Sequence, residues 1–242
     1  MSFNPFNSAT QVADRVTFDA GLRAHMLRVF NYMGVGVAVT GLVAYLIAAM
    51  PEVSQLFYTA DRHPTLLGII AIFAPLGFIL FFSFAALRSS LATLQGLFWA
   101  FCAVMGVSMS SIFLIYTGES VASTFFVTSA MFFGTALYGY TTKADLSKMG
   151  SFMIMGLIGM LLAGIVNLFL HSSGLQFAIS VIGVIVFTGL TAWDMQRIKE
   201  TYAEGNGVET NGKMALMGAL SLYLNFINLF QLMLQFMGNR RS

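Results

Sequence analysis

Seven stretches of this chain, at residues 29–50, 66–87, 91–116, 121–140, 152–170, 175–193 and 214–237, contain no Asp, Glu, Lys or Arg. Each is close to or above the roughly 20 apolar residues that a helix needs to cross the hydrocarbon core of a bilayer, where no water can satisfy a bare backbone. Of the 242 residues, 57% are hydrophobic and 9% charged, whereas a soluble domain carries about 25% charged residues. With a mean hydropathy of +0.80, a water-soluble fold is excluded. The segments between the runs are too short for a separate soluble domain. The spacing predicts an all-α membrane protein: a seven-helix domain over 29–242 behind a cytoplasmic arm over 1–28.

Within that arm, RVTFDAGLRAHMLRVF sets Phe18, Leu22, Met26 and Phe30 four apart among Arg15, Arg23 and Arg28. This pattern reads as an amphipathic surface helix leading into the first span, with a partner-docking arm as the alternative. The first apolar run is a full span long and begins nearly thirty residues in, which argues against a cleaved secretory signal. Basic residues are retained on the cytoplasmic side. An inside amino terminus leaves nine there (Arg15, Arg23, Arg28, Arg88, Lys143, Lys148, Arg197, Lys199, Lys213) and three outside (Arg62, Arg240, Arg241). The carboxyl terminus is then outside. Arg240 and Arg241 are discordant, and a last segment that re-enters without crossing would place them inside.

Several chemistries are excluded. No run contains the lysine that a retinal Schiff base requires. HExxH is absent, and His25, His63 and His171 fall at or beyond span edges, where they should be interfacial. Gly118-Glu119-Ser120 lacks the second glycine of a nucleophile elbow. The lone cysteine, Cys102, excludes an intramolecular disulfide and a multi-cysteine metal site. A net charge of +2 argues against a nucleic-acid partner. No enzyme activity is expected. Gly34, Gly36, Ala38 and Gly41 in the first run, and Gly156, Gly159 and Gly164 in the fifth, read as close helix contacts. Trp193, Tyr116 and Tyr140 at run ends fit an interfacial aromatic belt.

One polar constellation remains. In FTGLTAWDMQRIKETYAEG the helical pattern carries past Asp194 to about Tyr202. Two readings stand. Arg197, three residues on, can pair with Asp194 as an ordinary charged helix end. Alternatively Asp194 faces the bundle interior, where a carboxylate needs a partner. The last run offers one in SLYLNFINLFQ, with Asn225 and Asn228 three apart and Ser221 one turn earlier. These amides serve either as interhelical packing groups or as the lining of an ion path.

At AWDMQRIK and LYLNFINLF, and again at YTGESVASTFFVTSAMFFG and YGYTTKADLSKMGSF, the sequence resembles the Bax inhibitor family of transmembrane proteins in its bacterial branch, over nearly the whole chain. The resemblance implies an inner-membrane bundle of two three-helix layers around the last helix. It also implies a calcium-permeable leak whose opening depends on pH. Two aspartates of that family, one in each of the last two helices, are thought to share a proton and latch the pore closed. Asp194 falls on the first, but Asn225 occupies the second, a departure at a residue the mechanism uses. A family arginine near the cytoplasmic end of the second helix is proposed to take the carboxylate on opening, and Arg88 lies in about that place. With Arg197, these complete the candidate gate residues. An amide at Asn225 would mimic a protonated partner permanently, which favours the latched state and weakens or acid-shifts any pH response. Calcium prefers several hard oxygens, so Asp194 provides a weak contact for a permeant ion, and no cofactor is expected. Some bacterial relatives are instead substrates and modulators of a membrane-anchored ATP-dependent protease. The arm over 2–28 would then be the handle.

Overall fold

The computed structural model describes residues 5–59, 63–86 and 88–241, with backbone only for 5–18, 85, 86 and 204. The arm's first four residues, the side chains of Arg15 and Phe18, and Arg62 lie outside the described residues. Helix α1 spans Pro5–Ala49, about 68 Å at 1.5 Å per residue, and runs through residue 28 without a break. The arm and the first span are therefore one helix, and Leu22 and Met26 are already buried in the bundle core. His25, expected at the interface, is buried between them, its ring 5.3 Å from that of Tyr202. The helix stops at Met50, which is extended (φ −104°, ψ 101°) because Pro51 excludes the helical region for the residue before it.

After Pro51–Phe57 (α2) and Leu66–Ala86 (α3), which carries Pro75 in its interior, the third apolar run departs from expectation. It is not one helix but Leu91–Met109 (α4) and Ser111–Ile115 (α5). Ser110 separates them, its backbone N–H and hydroxyl both turned onto the Val107 carbonyl at 3.3 and 2.7 Å. A serine that bonds three residues back offers the chain an alternative to the helical ladder. Then come Gly118–Thr141 (α6), Ser147–Leu170 (α7), Ser173–Thr201 (α8) and, after a 3-10 turn at Glu204–Asn206, Gly207–Met237 (α9). Thr117 and Ser172 cap α6 and α8 by accepting from the N–H of Ser120 and Leu175. The helices outrun the uncharged runs because charged turns, such as residues 194–201, continue the same helix.

Among the described residues, seven helices are long and apolar enough to cross a membrane. Among them α9 is the axis: α1, α4, α6 and α8 all pack on it, while α3 packs on α4 and α7 on α8. Leu216, Leu222, Tyr223 and Leu229 of α9 are fully buried. In α7 only Gly150 is buried; Met153, Leu157 and Met160 pack on the core, and the opposite apolar face is exposed. Tyr223 ties three helices together. Its hydroxyl lies 2.6 Å from Thr40 Oγ1, which spends its own proton on the Cys102 carbonyl at 2.9 Å, so Tyr223 is the donor between them.

Close contacts fall on only some of the glycines expected. A Cβ at Gly36 would lie 3.0 Å from the Cys102 sulfur and one at Gly156 2.9 Å from Val186 Cγ2, whereas at Gly34, Gly41, Gly159 or Gly164 it would meet nothing within 4 Å. At Gly139 it would lie 2.2 Å from the Ala192 carbonyl oxygen, and at Gly106 2.7 Å from that of Thr40. Beyond α9, the Thr117 N–H donates to Asn239 O (3.1 Å) and the Arg241 N–H to Ile115 O (2.8 Å). The tail is thereby fastened at the α5–α6 turn, at the opposite end of α9 from the 3-10 turn. Helix α9, about 46 Å long at 31 residues, is long and apolar enough to cross a membrane.

Candidate ion-path site between α8 and α9

Asp194 lies seven residues before the end of α8, between two close helix crossings. Gly139 brings α6 against Ala192 on one side. On the other, Gly218 brings α9 against Ile198, whose Cγ1 would lie 2.9 Å from a Cβ there. The aspartate is 4% exposed. Its Oδ2 accepts hydrogen bonds across the helix interface from Ser221 Oγ at 2.6 Å and from Asn225 Nδ2 at 2.8 Å. Its Oδ1 lies 3.0 Å from Arg197 on its own helix. The Arg197 pair expected along α8 and a partner on α9 are both present, but Asp194 is buried and is not an ordinary charged helix end. The guanidinium of Arg197 is half exposed and stacks over the Trp193 ring at 4.8 Å. The carboxylate is thus neutralised at the edge of the bundle by a cation that remains in contact with solvent.

Asn228 does not join this cluster. Its Nδ2 donates to the Leu224 carbonyl of its own helix at 2.8 Å, as an amide does when no partner helix offers an acceptor. Arg88 lies at the same end of the bundle, since neighbouring Leu91 packs at Gly212 of α9. It is exposed and makes no ion pair among the described residues. No cluster of three or more His, Cys, Asp or Glu side chains occurs among the described residues. Asp194 alone would offer calcium one carboxylate, and three donors already occupy its oxygens. A cation could gain the oxygens of Ser221 and Asn225 only if those side chains turned.

Two residues of the AWDMQRIK segment carry a role that sequence reasoning missed. Gln196 accepts from the Leu146 N–H (2.9 Å) and donates to Ala144 O (2.8 Å), and Lys199 donates to Tyr140 O (2.9 Å). Together they strap the α6–α7 loop to α8 beside the Asp194 cluster. In the same loop, hydrogen bonds from the Ser147 hydroxyl and its N–H hold the Asp145 carboxyl below its usual range. The signal was available, since Gln196 and Lys199 are three apart on one helix face, but a polar residue in a charged helix end carries no contrast. Substituting Gln196→Ala leaves the Leu146 N–H and Ala144 O without partners. Amide exchange across 144–148 should accelerate roughly tenfold, as one or two lost hydrogen bonds imply. Hydrogen–deuterium exchange that matches the native protein there would show that the strap contributes nothing.

Comparison with known proteins accords with this arrangement. A family model described as "Inhibitor of apoptosis-promoting Bax1" matches residues 22–242. An uncharacterised protein of Rickettsia prowazekii is 46% identical over 233 residues, covering 96% of this chain and 97% of its own. One of Caulobacter vibrioides is 45% identical over 247 residues, covering 99% of each. The inner membrane protein YbhL of Escherichia coli K12 is 42% identical over 224 residues, covering 92% of this chain and 94% of its own.

Proposed function

The chain belongs to the Bax inhibitor family of membrane proteins, and from that membership we propose that it is a bacterial inner-membrane leak for calcium or other cations. The leak is closed at its cytoplasmic end where Asp194 holds α8 against α9. One observation supports this reading above the rest. A carboxylate buried in a membrane bundle is bonded across a helix interface to Asn225 and Ser221, in a position where an ordinary surface charge would face water. In this arrangement Arg197 balances the charge while the path is shut, and Arg88, exposed at the same end, is the cation that would receive the carboxylate when the helices part. The excess of basic residues in the loops at the Asp194 end supports a cytoplasmic position for that end and an outer one for the Asn239 end.

Calcium flux in liposomes carrying the purified protein tests the proposal. With Asp194→Asn the two hydrogen bonds from α9 lose their charged acceptor and the pair with Arg197 disappears. The closed contact is then weaker, and flux should rise about threefold to tenfold, the difference between a charged and a neutral hydrogen bond. A native protein that conducts while this variant conducts identically would remove Asp194 from the gate. Flux no higher than in empty liposomes in either case would reject the leak and favour the protease-partner reading. The test of that second reading is deletion of residues 1–18, which stops short of buried Leu22.

A further inference from the structure

Serine and threonine hydroxyls inside membrane helices ordinarily return their proton to a carbonyl of the preceding turn. Here Thr135, Thr188 and Thr191 do so at 2.6–2.8 Å. Thr124 and Thr128 of α6 do not. Both are fully buried, and neither Oγ1 has a hydrogen-bond partner. They are one helical turn apart on the stripe of α6 that continues to Phe132, Ala136 and Gly139, the stripe that packs on α8 and α9.

Their depth follows from their neighbours. Ser120 accepts from the Asn239 N–H at one end of the stripe, and Phe132 meets Phe226 edge-on at 5.5 Å further in. The two hydroxyls therefore lie between the Asn239 end and this ring pair. Above them, between α8 and α9, is a polar cavity of about 380 Å³ that includes Gln176, Ser180 and Gln235, with exposed Arg240 at its rim. There Gln235 Oε1 lies 2.7 Å from Ser180 Oγ and 3.0 Å from Gln176 Nε2. Below the ring pair, one residue along α9 from Phe226, is Asn225 with its bond to Asp194.

We infer that Thr124 and Thr128 line a hydrated file that carries the permeant cation from the Gln176–Ser180–Gln235 cavity to the Phe132–Phe226 ring pair. The inference rests on the leak proposed above. Two unpaired hydroxyls in a dry interior would be costly, and water or a partly hydrated cation satisfies both. Hydroxyl oxygens suit a hard cation without binding it tightly, as conduction requires. The perpendicular phenyl rings supply an apolar constriction in series with the Asp194 latch.

Two measurements test this. Thr124→Cys and Thr128→Cys, each in a Cys102→Ala background, should react with a small cationic methanethiosulfonate, whereas buried Cys102 of the native chain should not. The double variant Thr124→Val/Thr128→Val should conduct calcium at least about fivefold less without melting lower, because it removes two unpaired buried polar groups. The Thr→Ser pair should conduct as the native protein does. Absence of labelling at both positions would show a dry interface and overturn the file, whether or not the protein conducts. Undiminished flux in the valine variant would overturn its part in conduction. Labelling in a protein that shows no native flux would sustain the hydrated file and overturn the leak.

Discussion

Gly139→Ala should destabilise this protein by about 1–3 kcal/mol or more, as overpacking a tight interface does. The added carbon would lie 2.2 Å from the carbonyl oxygen of Ala192 and 2.8 Å from its Cα. All of these are backbone atoms in the middle of α8, so no side chain can rotate away. Relief requires α6 and α8 to separate, two residues from Asp194. Gly134→Ala is the matched control. It lies in the same helix with open space around it, and there alanine should be neutral or stabilise by up to ~1 kcal/mol through helix propensity. The unfolding midpoints of the two variants in detergent should therefore shift in opposite directions or by clearly different amounts. Equal midpoints would mean that α6 and α8 do not cross where the structure puts them.

That contrast also shows what could be read from the sequence and what could not. The spans were legible because charge is intolerable in lipid, and runs without it mark themselves. Asp194 and its α9 partner were legible for the complementary reason: a carboxylate and an amide stand out against apolar residues. Which face of each helix is buried was not legible. In water an amphipathic stripe reveals the core, but in a membrane the lipid-facing side is as apolar as the packed side. Helix α7, of which only Gly150 is buried, and helix α9, the axis of the bundle, are therefore both written in apolar runs. The same blindness put close contacts at Gly34 and Gly159 as well as at Gly36 and Gly156, where they do occur, and missed those at Gly139 and Gly106. It also hid the difference between Thr135, which bonds its own helix, and Thr128, which does not. The break at Ser110 escaped notice because a serine within an uncharged run changes its hydropathy too little to register.

Asn225→Asp carries the second large effect, because it replaces a hydrogen-bond donor with a second carboxylate 2.8 Å from the first. In the native protein the Asn225 amide donates to Asp194, so no proton need be shared between these two side chains for α8 and α9 to stay together. Two carboxylates at this separation cannot both be ionised cheaply, so the variant holds one shared proton and titrates as a coupled pair. The sign follows from which form is closed. The pair binds that proton more tightly when the helices are together than when they are apart, so the contact is secure at low pH and is lost as pH rises and the proton leaves. Calcium flux through Asn225→Asp should therefore climb roughly tenfold between about pH 6 and about pH 9, the consequence of a one-unit difference in proton affinity between the two states. Native flux should stay nearly level over the same interval. A variant whose flux-versus-pH curve overlies the native one, in a protein that conducts, would show that the contact between Asp194 and Asn225 does not control the path.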